Sequence, residues 1–191
     1  MVFTNYNMNL GGIKILNNKI ILLMVFLIMV VACSGCTSLE DNFENSILSF
    51  NIPENWTVVD VSSTDTLASL KPTEINKTLI SITSTDVSPQ QVIDGYLNNY
   101  PSKYTRFQVI KNEPVTVDGV NGIILVFKNT ARNDSLQRGP DYLSSIVTFS
   151  KNNQTYIISS DEVSENEYQS NVESAMKKLV SSIKIKGYLN G

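Results

Sequence analysis

Residues 78–101 read TLISITSTDVSPQQVIDGYLNNYP. Thr78 to Thr83 alternate apolar and polar side chains and are rich in branched residues, as a half-buried strand is. The period then changes. Ser88-Pro89-Gln90-Gln91 places an N-cap serine, a proline at the first helical position and a glutamine three residues after the serine. Val92, Ile93, Tyr96, Leu97 and Tyr100 follow at helical spacing, and Pro101 closes the segment. This helix is the one strand connection in the chain long enough for a parallel crossover.

Outward from that point the pattern is strand-like on both sides. Upstream, residues 47–52 alternate, Pro53-Glu54-Asn55 make a turn, and residues 56–61 run back, which predicts a hairpin; residues 67–70 form a short further strand. Downstream, runs at 107–117 and 123–129 are joined by Asp118-Gly119-Val120-Asn121-Gly122, whose glycines after Asp and Asn signal a tight turn. Residues 142–150 and 155–160 pair across the turn at 151–154. Ser164-Glu165-Asn166-Glu167 then reads as a capping box with acidic residues at the positive end of the helix dipole. Tyr168, Val172, Ala175, Met176, Leu179 and Ile183 form a core-facing stripe, and Lys177, Lys178 and Lys184 crowd the other end. The expected fold class is α+β: a mostly antiparallel sheet with an N-terminal hairpin, flanked by two helices.

The N-terminal region carries a different signal. Residues 20–36, IILLMVFLIMVVACSGC, are apolar and uncharged, stand behind Lys14 and Lys19, and end in small residues and two cysteines. A basic start, an apolar core and a small-residue exit describe a secretory signal. The cysteines make it resemble a lipoprotein signal, in which one cysteine becomes the lipidated first residue. Cys33 follows Val-Val-Ala; Cys36 follows Ser-Gly and precedes Thr-Ser, which favours Cys36. An uncleaved membrane helix and plain secretion are the alternatives; the run is a little short of the roughly 20 residues that span a bilayer. Met8 is an alternative start. The expected organisation is a signal with lipobox at 1–36, a polar tether at 37–46 and one domain at 47–186, on the extracytoplasmic face of a cell membrane.

Composition narrows the chemistry. All 18 acidic residues lie beyond Cys36, and setting Lys14 and Lys19 aside moves the formal charge from −3 to about −5. Without a Lys/Arg cluster this argues against a nucleic-acid partner. Histidine is absent, and both cysteines lie at the lipobox. The commonest general base, the commonest metal ligand and a disulfide framework are therefore missing from the domain. No nucleophile elbow or Ser-x-x-Lys motif surrounds the serines. We expect no enzyme, no cofactor and no metal. Asp161, Glu162, Glu165 and Glu167 lack the alternating spacing of a calcium loop and read as turn and helix-start charges.

Phe50-Asn51-Ile52-Pro53-Glu54-Asn55-Trp56-Thr57-Val58 resembles the "strand, Pro, x, x, Trp, strand" opening of the PsbP-like domains. These are named for an extrinsic photosystem II subunit and include Ran-binding relatives and many bacterial and archaeal lipoproteins. Val115–Gly122 resembles their "G-x-x-G" hairpin, and the helix running into Leu179–Ile185 their ending. The resemblance spans about residues 47–185 and implies an α/β/α sandwich. It implies no catalytic set, since the members bind different partners.

The remaining candidates lie on loops. Thr130–Pro140, TARNDSLQRGP, sets Arg132, Asn133, Asp134 and Arg138 on a long connection, where binding residues concentrate; a mobile hairpin tip is the plain alternative. Asn55, Asn76, Asn133 and Asn153 each begin an Asn-x-Ser/Thr sequon that an exported chain offers for glycosylation. The expected partners are the membrane, through an N-terminal lipid or uncleaved helix, and an envelope protein on which the domain docks. A small-ligand or ion-binding lipoprotein is the alternative.

Overall fold

The structure, a computed structural model, describes residues 41–59, 65–75, 77, 79–104, 106–130 and 140–187. The strands begin with β1 (Asn42–Glu44), β2 (Leu48–Asn51), β3 (Trp56–Val59), β4 (Thr66–Pro72) and β5 (Ile80–Thr85). Helix α1 (Pro89–Asn99) follows, with the reciprocal Ser88–Gln91 capping box and the N-terminal proline. Next come β6 (Arg106–Val117), β7 (Val120–Thr130), β8 (Asp141–Lys151), β9 (Gln154–Ser160) and β10 (Val163–Ser164). A terminal helix and β11 (Lys184–Ile185) complete the domain.

The central sheet runs β3-β4-β5-β9-β8-β7-β6, every neighbour antiparallel, with β10 paired to β8. α1 carries the chain from the middle of this sheet to its far edge. On one face, Ile93 of α1 packs on Leu125, Phe127 and Ile146. The other face belongs to a larger core joining Leu70, Ile82, Val147 and Phe149 to Leu48 and Phe50 of a small sheet and to Val172, Met176 and Leu179 of the terminal helix. The fold is α+β, a helix on each face of a mostly antiparallel sheet.

The N-terminal hairpin exists, but not where residues 47–61 suggest. β2 pairs with β1 and β11 in a separate three-stranded sheet, whereas β3 pairs with β4. Pro53-Glu54-Asn55 does turn the chain, with Trp56 N–H donating to the Pro53 carbonyl at 3.1 Å and Asn55 at φ 62°. A turn fixes direction, not partner. β1 falls inside the stretch read as tether, and the Phe43 ring stacks on Phe50 at 5.0 Å. The terminal helix also departs from expectation: Glu165–Glu167 and Glu173–Ser182 are α-helical, but Tyr168–Val172 between them is π-helical. Lys184 is not in its last turn; it lies in β11 opposite Ser49.

The G-x-x-G hairpin is explained position by position. Asp118 (φ 48°) and Gly119 (φ 78°) form the left-handed turn. Gly122 sits where a Cβ would lie 2.6 Å from the Thr148 carbonyl oxygen of β8. The Asp118 carboxylate, 7% exposed, draws in distant chain: Lys151 at 2.5 Å, Lys184 at 3.2 Å and the Ile185 N–H at 2.8 Å.

Candidate functional site

Most residues singled out by sequence lie outside the described residues: Cys33, Cys36, Asn76, Arg132, Asn133, Asp134 and Arg138. Asn55 and Asn153 are exposed, and both occupy turns at φ 62°. Asparagine is enriched in that conformation, so the turn itself favours the residue at both positions. The acidic group at the start of the terminal helix is spread over separate partners. Asp161 pairs with Lys77 at 2.7 Å, Glu165 with Lys128 at 2.8 Å, and Glu162 accepts from the Tyr104 hydroxyl. Among the described residues, no three acidic, Cys or His side chains converge as a metal site.

The surface that stands out was not marked by sequence. It lies between α1 and β6. Tyr96 of α1 and Tyr100, which caps its C-terminal end, reach toward β6 and β7, with Tyr100 5.2 Å from the Phe127 ring and 6.3 Å from Phe107. Tyr96 and Tyr104 flank Tyr100 at 4.9 and 5.5 Å, so the rings form one continuous cluster. Burial pushes the Tyr100 phenol up to about 12, with Tyr96, Glu162 and Asp161 adding to the shift. Burial and then donation to Glu162 push Tyr104 up further. Both phenols stay neutral donors at physiological pH.

Beside these rings runs an open groove of about 260 Å³ along α1, lined by Val92, Gly95, Tyr96, Asn99, Tyr100 and Lys103, with Gln91 at one end. Gly95 lies within the helix, where glycine costs about 1 kcal/mol relative to alanine. A Cβ there would meet nothing within 4 Å, so packing does not demand glycine. The Lys103 ammonium sits 5.4 Å over the Tyr100 ring.

Beyond the tyrosine cluster lies β6, an edge strand of 12 residues whose Phe107 ring is 6.3 Å from Tyr100. Val109 (39% exposed) and Ile110 (52%) are two of the three large exposed hydrophobics among the described residues. Edge strands invite pairing, and proteins blunt them with charge, proline and bulges. Here those devices are unevenly placed. The bulge falls between Val109 and Lys111, and the Lys111–Glu113 ion pair and Pro114 follow it. Arg106–Val109 carries only Arg106 as a guard. Sequence alternation cannot reveal this site, because whether a strand lies at an edge depends on pairings made elsewhere.

One buried group nearby is unexplained by packing. Asn129 of β7 is fully buried, and neither its carboxamide oxygen nor its nitrogen has a hydrogen-bond partner among the described residues. Its cross-strand neighbours are Phe107 and Tyr142.

No protein-family model matches the sequence, and no curated protein matches it. Solved structures do. The chain is similar to cyanobacterial PsbP (CyanoP) of Synechocystis sp. PCC 6803, at 13% identity and TM-score 0.51, covering 80% of this chain and 98% of that one. LpqN of Mycobacterium tuberculosis, described as involved in cell envelope biogenesis, gives 14% identity and TM-score 0.47 over 80% of this chain and 87% of that one. A Bacteroides thetaiotaomicron protein gives 10% identity and TM-score 0.48 over 76% of this chain and 48% of that one. The fold of this domain is PsbP-like.

Proposed function

We propose that this protein is a non-catalytic accessory module, held at the extracytoplasmic face of the membrane through Cys36 or Cys33, that docks on another envelope protein. The lipobox-like ending of the apolar segment supports the anchor. The docking surface is the α1–β6 flank, and the observation that carries it is the adjacent exposed pair Val109 and Ile110 on an incompletely guarded edge.

A photo-cross-linking residue at Ile110, in the full chain in its native membranes, tests this reading. The expected result is one adduct of defined mass, identified by mass spectrometry and lost when Val109→Asp is added. The same probe at exposed Glu54 should give none. Equal labelling from both positions, or none from Ile110, overturns the docking reading.

A second reading, a small-ligand lipoprotein, draws on Asn129. A buried amide with nothing to bond costs about 1–3 kcal/mol, and a small polar ligand reaching it would remove that cost. A thermal-shift screen of amides and amino acids tests it: a ligand that raises Tm in the parent but not in Asn129→Leu supports this reading, and no hit removes it.

A further inference from the structure

The α1–β6 flank has the parts of a strand-addition site, and they specify what fits it. An unpaired edge offers main-chain hydrogen bonds, and pockets beside it read alternate side chains of an incoming segment. Val109 and Phe107 are opposite Phe127 and Asn129 of β7, so they share the face on which α1 lies. A strand added beyond Arg106–Ile110 would turn every second side chain to the face that carries Phe107, Val109 and the tyrosine cluster.

Charge selects the occupant. Lys103 lines the groove and Arg106 opens β6, and neither has a carboxylate partner among the described residues. Glu113, the only acidic side chain of β6, is already paired with Lys111 at 2.7 Å, and Glu162 beside the tyrosine cluster is engaged by the Tyr104 hydroxyl. The bulge at Ile110, followed by Lys111 and Pro114, breaks the regular edge, which limits the site to about five residues, or roughly 17 Å of strand.

We infer that β6 accepts, along Arg106–Ile110, an extended segment of a partner protein that alternates acidic and apolar residues, added as a further strand of the sheet. This deepens the docking reading and rests on it.

The probe is a synthetic peptide, acetyl-EVELEV-amide, titrated into the full chain in detergent micelles and followed by amide NMR and hydrogen exchange. Binding should shift and protect the amides of Phe107–Ile110 and shift Lys103. A copy N-methylated at alternate backbone nitrogens should bind about tenfold or more weakly, as should acetyl-KVKLKV-amide. In the Lys103→Glu, Arg106→Glu chain the preference should reverse toward the lysine peptide.

Undiminished binding of the N-methylated copy overturns strand addition but leaves docking through side chains intact. Equal binding of acidic and basic peptides, or protection elsewhere on the domain, overturns the assignment of the occupant. Failure of every peptide to bind overturns the inference, while the cross-linking at Ile110 separately decides the docking reading.

Discussion

Lys151 Nζ lies 2.5 Å from Asp118 Oδ2, so the turn between β8 and β9 is tied to the turn between β6 and β7. The same carboxylate oxygen accepts the Ile185 N–H, which brings the last strand to the same point. One side chain thus holds three chain positions that no local pattern would connect.

Removing that charge should be costly. Burial disfavours the Asp118 carboxylate, but bonds from Lys151, Ile185 N–H and Lys184 outweigh it and hold its pKa below the ordinary carboxylate value. A depressed folded pKa contributes stability above the unfolded value, lost as pH falls through the folded one. Asp118→Asn keeps the turn, since Asn tolerates φ 48° as well. It should lower stability at neutral pH by about 1.5–3 kcal/mol. Denaturant midpoints measured from neutral pH downward should then fall less steeply than in the parent. Equal midpoints would remove Asp118 from this role.

Two glycine-to-alanine changes should move in opposite directions. At Gly122 the added methyl meets the Thr148 backbone oxygen at 2.6 Å and the Phe149 Cβ at 3.0 Å, an overpacking expected to cost about 1–3 kcal/mol. At Gly95 it meets nothing, and the helix should gain about 0.5–1 kcal/mol. Thermal melts of the two variants side by side read both signs.

Trp56 is 9% exposed and belongs to the core cluster that includes Val172, Met176 and Leu179. Trp56→Ala should cost about 3–5 kcal/mol. As the only tryptophan, it should emit blue-shifted fluorescence that moves red in denaturant. A red-shifted native spectrum would place the indole in water.

The tyrosine cluster should mark the alkaline limit. Because burial raises the Tyr100 pKa from 10 to about 12, its contribution is complete below pH 10 and is lost as pH rises toward 12. Ultraviolet titration should show a late-ionising class of tyrosines that shrinks in Tyr104→Phe. Uniform ionisation near pH 10 would mean the rings are exposed.

The anchor is tested by changing Cys33 and Cys36 to Ser together. The expected outcome is loss of lipid labelling, with the chain released or retained only by an unprocessed helix. An intact, unlipidated N-terminus on the native protein would end the lipoprotein reading.

The central strands and both helices were legible because their periods are strong and their turns carry Gly, Asn and Asp. Ser88 with Gln91 announced α1, and Gly119 with Gly122 announced the hairpin. β1 was not legible: among the polar residues of TSLEDNFENS, Phe43 alone signals burial, and its stacking on Phe50 appears only in three dimensions. β11 is two residues long, too short for any period. Nothing in the spacing of Tyr168 and Val172 signals the π-helical stretch between them. The α1–β6 flank depends on β6 being an edge, which local alternation does not encode.

The small sheet has a temporal consequence. Asn51 N–H donates to Ser182 Oγ across 131 residues, and Ser49 pairs with Lys184. Leu48 and Phe50 therefore stay uncovered on a nascent chain until nearly all of the domain has been synthesised. Such late, non-local closure slows folding. Residues 182–185 are therefore the last piece the small sheet needs, and a chain cut before them would leave Leu48–Asn51 with only one neighbouring strand.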